Sequence, residues 1–230
     1  MRRAAERVIV ALDAPSLSRA VRVARQLQGL IRCVKIGSIL FGAAGPEAIR
    51  RMRALGFQVF LDLKFHDIPS TVEKSCRAVT AHRIAMLTVH ASGGPQMLRA
   101  AVEGAAQEAA RRGLRRPKVL GVTVLTSVDA AHPLRGRVTA LAAAAHRAGL
   151  DGVVASAQDA RAIRRRFAPP FLIACPGIRP TGAARGDQAR VATPQEAMAS
   201  GVDFLVIGRP ITEARRPRLA AQQIIEELAC

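Results

Sequence analysis

Val59-Phe60-Leu61-Asp62-Leu63-Lys64-Phe65-His66-Asp67-Ile68 begins as an apolar run and ends among charged side chains. Its first half reads as a buried strand, its second half as the loop into which that strand empties. Side chains two apart on a strand share a face, so Asp62 and Lys64 point one way while Leu61 and Leu63 point the other. Charges inside a core are costly unless paired. An Asp/Lys pair at a strand end is therefore either a structural cap or the start of a chemical site. The rest of the chain decides between them.

Working outward, runs of the same kind recur at Val8–Asp13, Cys33–Gly37, Gln58–Lys64, Met86–His90, Val119–Leu125, Gly152–Ala155, Phe171–Ala174 and Phe204–Ile207. Between them lie stretches with helical spacing, such as Leu17–Leu27, Pro46–Leu55, Thr71–Ala81 and Pro95–Arg111, rich in alanine and arginine. Ser16 and Ser18 suit a helix start, Pro46 and Pro95 a first helical turn, and Gly56, Gly113, Gly149 and Gly201 a helix end. Strands alternating with helices over this length describe a (β/α)8 TIM barrel of class α/β. A doubly wound sheet is the alternative, but no glycine-rich dinucleotide turn follows Asp13. No linker or composition break divides residues 1–230, which read as one domain. The long stretch Pro176–Pro194 reads as a functional loop.

Composition limits the function classes. Half of the 230 residues are hydrophobic, which excludes global disorder. No uncharged apolar run approaches the ~18 residues of a membrane span. The run Val8–Leu12 is too short for a signal peptide. The four cysteines, Cys33, Cys76, Cys175 and Cys230, are too scattered for a zinc site or disulfide framework, so a reducing cytoplasm is the expected compartment. The net charge of +18 gathers in arginine clusters near helix ends, where cations complement the helix dipole. A nucleic-acid partner would explain that charge as well. Against it, the chain has no Trp or Tyr and only 7 Phe to stack on bases. A basic field also draws in a small anionic substrate.

In such barrels active sites occupy the C-terminal strand ends. Those ends carry Asp13, Lys35, Asp62 with Lys64, His90, and Thr126-Ser127. Taken singly, Asp13 before Ala14-Pro15 suits a turn, His90 a core histidine, and Thr126-Ser127 a helix cap. A lysine inside Val34-Lys35-Ile36 needs a counter-charge. The last strand empties into Gly208-Arg209-Pro210, where a glycine admits a phosphate and an arginine grips its oxygens. The loop carrying Arg179 and Gln188 could close over the same anion.

Asp62-x-Lys64-x-x-Asp67-Ile68-Pro69-x-Thr71 resembles the signature of the orotidine 5′-monophosphate decarboxylase family. The blocks Val34–Gly37, Val89–Gly94, Val122–Ser127, Pro176–Pro180 and Val206–Pro210 resemble that family's blocks, in its order and over nearly the whole chain. The resemblance implies that Lys64 protonates pyrimidine C6 once carbon dioxide has left. Lys35, Asp62, Lys64 and Asp67 would form a charged array at that carbon. It further implies a homodimer with shared sites, Asp67, Ile68 and Thr71 reaching into the neighbouring subunit. Asp13 and Lys35 would bind the ribose, Thr126 and Ser127 the base, Gln188, Gly208 and Arg209 the phosphate, and Arg179 would belong to the closing loop. Arg185 departs from the family's loop, where an acidic residue is common. No metal, flavin or nicotinamide cofactor is implied. The first motif is shared with sugar-phosphate decarboxylases and synthases of the same wider group, which stand as an alternative. A basic nucleic-acid-binding module stands as another.

Overall fold

Each apolar run becomes one stave of a closed barrel in a computed structural model that describes residues 2–125, 134–180 and 190–229. The strands are β1 (Val8–Ala11), β2 (Cys33–Gly37), β3 (Gln58–Phe65), β4 (Met86–His90), β5 (Lys118–Val122), β6 (Gly152–Val154), β7 (Leu172–Cys175) and β8 (Phe204–Ile207). All pair in parallel in sequence order, and β8 returns to β1 through Val8↔Leu205 and Ile9↔Val206. The fold is thus the (β/α)8 barrel that the alternation predicts.

The strands read as nearly unbroken apolar runs because both faces are covered. Alternate residues form two cores. Ile9, Cys33, Phe60, Met86, Leu120 and Val206 fill the barrel interior. Val8, Val10, Val34, Leu61, Leu87 and Val119 pack outward against the helices. Helix Leu17–Leu27 starts where Ser16 accepts the Arg19 N–H at 3.4 Å. Helix Gly94–Arg111 lies against helix Pro69–Thr80 so closely that a Cβ on Gly104 would stand 2.3 Å from the Glu73 carbonyl oxygen.

Several boundaries differ from the sequence expectation. The first strand ends at Ala11 rather than Asp13, and the fifth at Val122 rather than Leu125, just before Thr123, whose N–H and hydroxyl both donate to the Val154 carbonyl, at 3.2 and 2.9 Å. The seventh strand runs one residue later, because Phe171 packs with Phe167 and His146 instead of joining the ladder. The helix expected from Thr71 begins at Pro69, whose fixed φ suits a first turn. Gly56, Gly113, Gly149 and Gly201 all adopt positive φ, as helix-ending glycines do. Cys33, Cys76 and Cys175 are free and buried, and burial pushes each thiol up to about 12. No helix among the described residues is long and apolar enough to cross a membrane.

Candidate active site

The C-terminal mouth of the barrel opens into a cavity of about 510 Å³. Strand parity explains its polar wall. Lys35 and Asp62 continue the inward-facing rows of Cys33 and Phe60, one step nearer the mouth. Asp13 and Lys64 line the same wall, as do Gly208 and Arg209 after β8 and Arg179 after β7.

Asp62 is the centre of this array. Its Oδ2 lies 2.9 Å from Lys64 Nζ and 3.4 Å from Lys35 Nζ, and Lys35 Nζ lies 3.0 Å from Asp13 Oδ1. Its Oδ1 accepts the Thr88 hydroxyl at 2.9 Å. The carboxylate and Lys35 are both nearly buried, with about a tenth of each side chain exposed. Burial works to raise the Asp62 carboxyl, but the charges of Lys35 and Lys64 and the hydrogen bonds from Lys64 and Thr88 outweigh it. The carboxyl is held below its ordinary value. The result is an alternating chain of charges, Asp13, Lys35, Asp62, Lys64, along one wall.

Lys64 is also conformationally unusual. Its φ of 53° lies in the left-handed region, which costs a residue with a Cβ about 1–3 kcal/mol. The register between β3 and β4 shifts between Leu61 and Phe65 as a consequence. The Lys64 N–H, displaced from the ladder, donates to Thr88 Oγ1 at 2.9 Å. Thr88 thus holds the backbone of Lys64 with its acceptor and the carboxylate of Asp62 with its donor. Nothing in the strand Met86–His90 marks it in the sequence, because threonine is an ordinary strand residue. Parity is the one clue, since Thr88 shares the inward face with Met86 and His90.

Two further positions escape sequence reasoning. A Cβ on Gly37 would lie 3.0 Å from both Asp13 Oδ1 and Lys35 Nζ, so that glycine leaves room for the ion pair. Arg190 is buried, pairs with Asp159 at 2.6 Å, and donates to the carbonyls of Val124 and Leu125 at 3.3 and 3.0 Å. It thereby ties the chain after β7 to the segment leading into Thr126-Ser127. Its signal is only that of an arginine near a loop end, one of many in this chain.

The remaining expected residues divide in two. Asp67, Ile68 and Thr71 are exposed and do not line the cavity of their own chain. Asp67 accepts the Ile68 N–H at 2.7 Å, and Ile68 is 64% exposed. Thr126, Ser127, Arg185 and Gln188 lie outside the described residues. His90, half-buried, faces His66 with ring centroids 5.2 Å apart, and is not part of the cavity lining. Among the described residues, no group of three or more His, Cys, Asp or Glu is placed to hold a metal ion.

Comparison with known proteins follows the same pattern. The family model described as the orotidine 5′-phosphate decarboxylase / HUMPS family matches residues 6–224. A protein named orotidine 5′-phosphate decarboxylase from Halorhodospira halophila is 48% identical, over 97% of this chain and 96% of its own. One of the same name from Moorella thermoacetica is 44% identical, over 98% and 93%. The crystal structure of orotidine 5′-phosphate decarboxylase from Lactobacillus acidophilus superposes with a TM-score of 0.84 at 34% identity, covering 98% of this chain and 100% of that one.

Proposed function

Because the chain belongs to the orotidine 5′-phosphate decarboxylase / HUMPS family, we propose that its charged cavity is the decarboxylation site, with Lys64 as proton donor. The reaction is the conversion of orotidine 5′-monophosphate to uridine 5′-monophosphate, the last step of de novo pyrimidine synthesis, and the chain is a carboxy-lyase. The observation that carries the site assignment is Lys64 Nζ on Asp62 Oδ2 at 2.9 Å in the cavity wall.

Breaking the bond between C6 and its carboxylate leaves an electron pair in an in-plane orbital that the ring delocalises poorly. Stabilisation must come from positive charge already in place. On this reading the Lys64 ammonium supplies that charge as carbon dioxide leaves, then gives its proton to C6. Solvent returns the proton to Lys64 after release of the product. Asp62 aims Lys64, and Lys35 joins Asp62 to Asp13 at the ribose hydroxyls. Gly208, Arg209, Arg179 and Gln188 hold the phosphate, and Thr126 and Ser127 meet the base. Gly208 lines the cavity beside Arg209, and a Cβ there would lie 3.6 Å from the Ala11 Cβ and 4.0 Å from Asp13 Oδ2. Phosphate binding remote from C6 supplies energy for closing the loop around the reacting carbon. No metal or organic cofactor takes part.

The active unit on this proposal is a homodimer in which Asp67, Ile68 and Thr71 enter the neighbouring subunit's site. Support comes from apolar exposure. Of the four large hydrophobic side chains exposed among the described residues, Ile39 and Leu125 line the cavity and Ile68 belongs to the charged motif. A partner that covers the mouth would bury all three. A cytoplasmic location accords with the free, buried cysteines.

The test is a comparison of substrates on the purified chain after exhaustive metal chelation. Orotidine 5′-monophosphate should be consumed while pentulose and hexulose phosphates are left unchanged. Turnover of a sugar phosphate instead would move the site to another reaction of the wider group, and loss of turnover on chelation would overturn the cofactor-free mechanism.

A further inference from the structure

The opposite, N-terminal mouth of the barrel holds a second cavity, of about 610 Å³. It is comparable in size to the active-site cavity and separated from it by the packed layer that includes Ile9, Cys33 and Leu120. Five cations line it, Arg53, Arg83, Arg115, Arg116 and Lys118, and no carboxylate does. Asp151, set behind them, neutralises only in part: its Oδ1 meets Arg116 at 2.8 Å and Lys118 at 3.0 Å. Arg53, Arg83 and Arg115 are exposed and have no side-chain ion pair among the described residues. Nη1 of Arg116 is buried and has no hydrogen-bond partner among them.

A solvated arginine face spreads its charges over convex surface. Here they converge on a concavity, whose walls focus the field. The other walls are apolar, with Phe57, Ile84, Leu114, Leu172 and Phe204 among them. Guanidinium forks match phosphate oxygens, and the apolar wall matches a ring. We propose that this cavity binds a small molecule carrying several phosphates on a planar, apolar body, of the class of a nucleoside triphosphate. Binding is independent of the active site, because the barrel core lies between them. The concave shape favours such a ligand over an extended polyanion such as RNA.

Calorimetric titration of the full chain with ATP, in the presence of saturating uridine 5′-monophosphate, tests the proposal. One ATP should bind per chain, and inorganic triphosphate, which leaves the apolar wall uncovered, should bind more weakly. The double variant Arg83→Ala/Arg115→Ala should bind ATP at least about tenfold more weakly. Without ATP its decarboxylase turnover and melting temperature should match the parent. Absence of saturable ATP binding, equal affinity in the double variant, or displacement of ATP by uridine 5′-monophosphate would each overturn the site. Equal affinity for ATP and triphosphate would overturn the nucleoside class, and a single-stranded RNA that outcompetes ATP would put a macromolecule in its place.

Discussion

At the scale of single residues, the site is organised by one carboxylate. Asp62 lies between two ammonium groups, and its removal leaves the nearly buried Lys35 and the partly exposed Lys64 without their shared counter-charge. Asp62→Asn should therefore cost about 2–4 kcal/mol of stability at neutral pH. The pH dependence has a definite sign. The Asp62 carboxyl lies below its ordinary value, so its contribution is present above the unfolded value near ~3.9 and is lost as pH falls through the lower folded one. Urea midpoints of parent and variant should thus converge below about pH 4, and a gap that stays constant with pH would contradict this. Thr88 makes a second prediction. Thr88→Val keeps the shape, removes the donor to Asp62 and leaves the Lys64 N–H without its acceptor. Turnover should fall by the equivalent of about 1–3 kcal/mol with little change in KM, and Thr88→Ser should recover most of it. Equal losses in the serine and valine variants would show that packing, not hydrogen bonding, is Thr88's role. Asp62, Lys64 and Lys35 were legible in the sequence because a charge in an apolar run violates a strong rule. Thr88 and Gly37 violate none and become visible only when neighbouring strands are set side by side.

At the scale of elements, the inner strands were legible because burial on both faces leaves an apolar run bounded by polar residues. Their ends were less so. Asp13 turns to Lys35, 22 positions away, and Phe171 joins a ring cluster, and no local pattern encodes these contacts. The left-handed turn at Lys64 is equally silent in the sequence, since no glycine or asparagine marks it. The pair of helices Pro69–Thr80 and Gly94–Arg111 carries a prediction of its own, because the first of them begins beside Asp67 and includes Thr71. Gly104→Ala drives a methyl into the Glu73 backbone and must push that helix outward. The expected cost is about 1–3 kcal/mol, or a melting temperature lower by several degrees in scanning calorimetry. An unchanged melting temperature would show that the two helices separate freely.

At the scale of the whole molecule, the two barrel mouths of a strongly basic chain differ in how their cations are paired. One converges its cations on Asp13 and Asp62, and the other leaves three arginines without ion-pair partners among the described residues. The proposed sharing of sites between subunits makes a specific prediction for the assembly. Lys64→Ala and Asp67→Ala chains should each be inactive alone, yet mixing them under conditions of subunit exchange should restore roughly a quarter of parental activity, since half of the dimers then contain one intact site. No recovery would show that each site is complete within one chain. Only the family motif in the sequence points to the proposed assembly, because in a single chain Asp67 and Thr71 look like ordinary exposed residues. The most direct measurement is the turnover of orotidine 5′-monophosphate by a folded Lys64→Ala variant, its fold verified by a parental circular dichroism spectrum. Loss of turnover by several orders of magnitude is expected, since on the proposed mechanism Lys64 supplies both the charge and the proton at C6. Parental turnover in that variant would contradict the account.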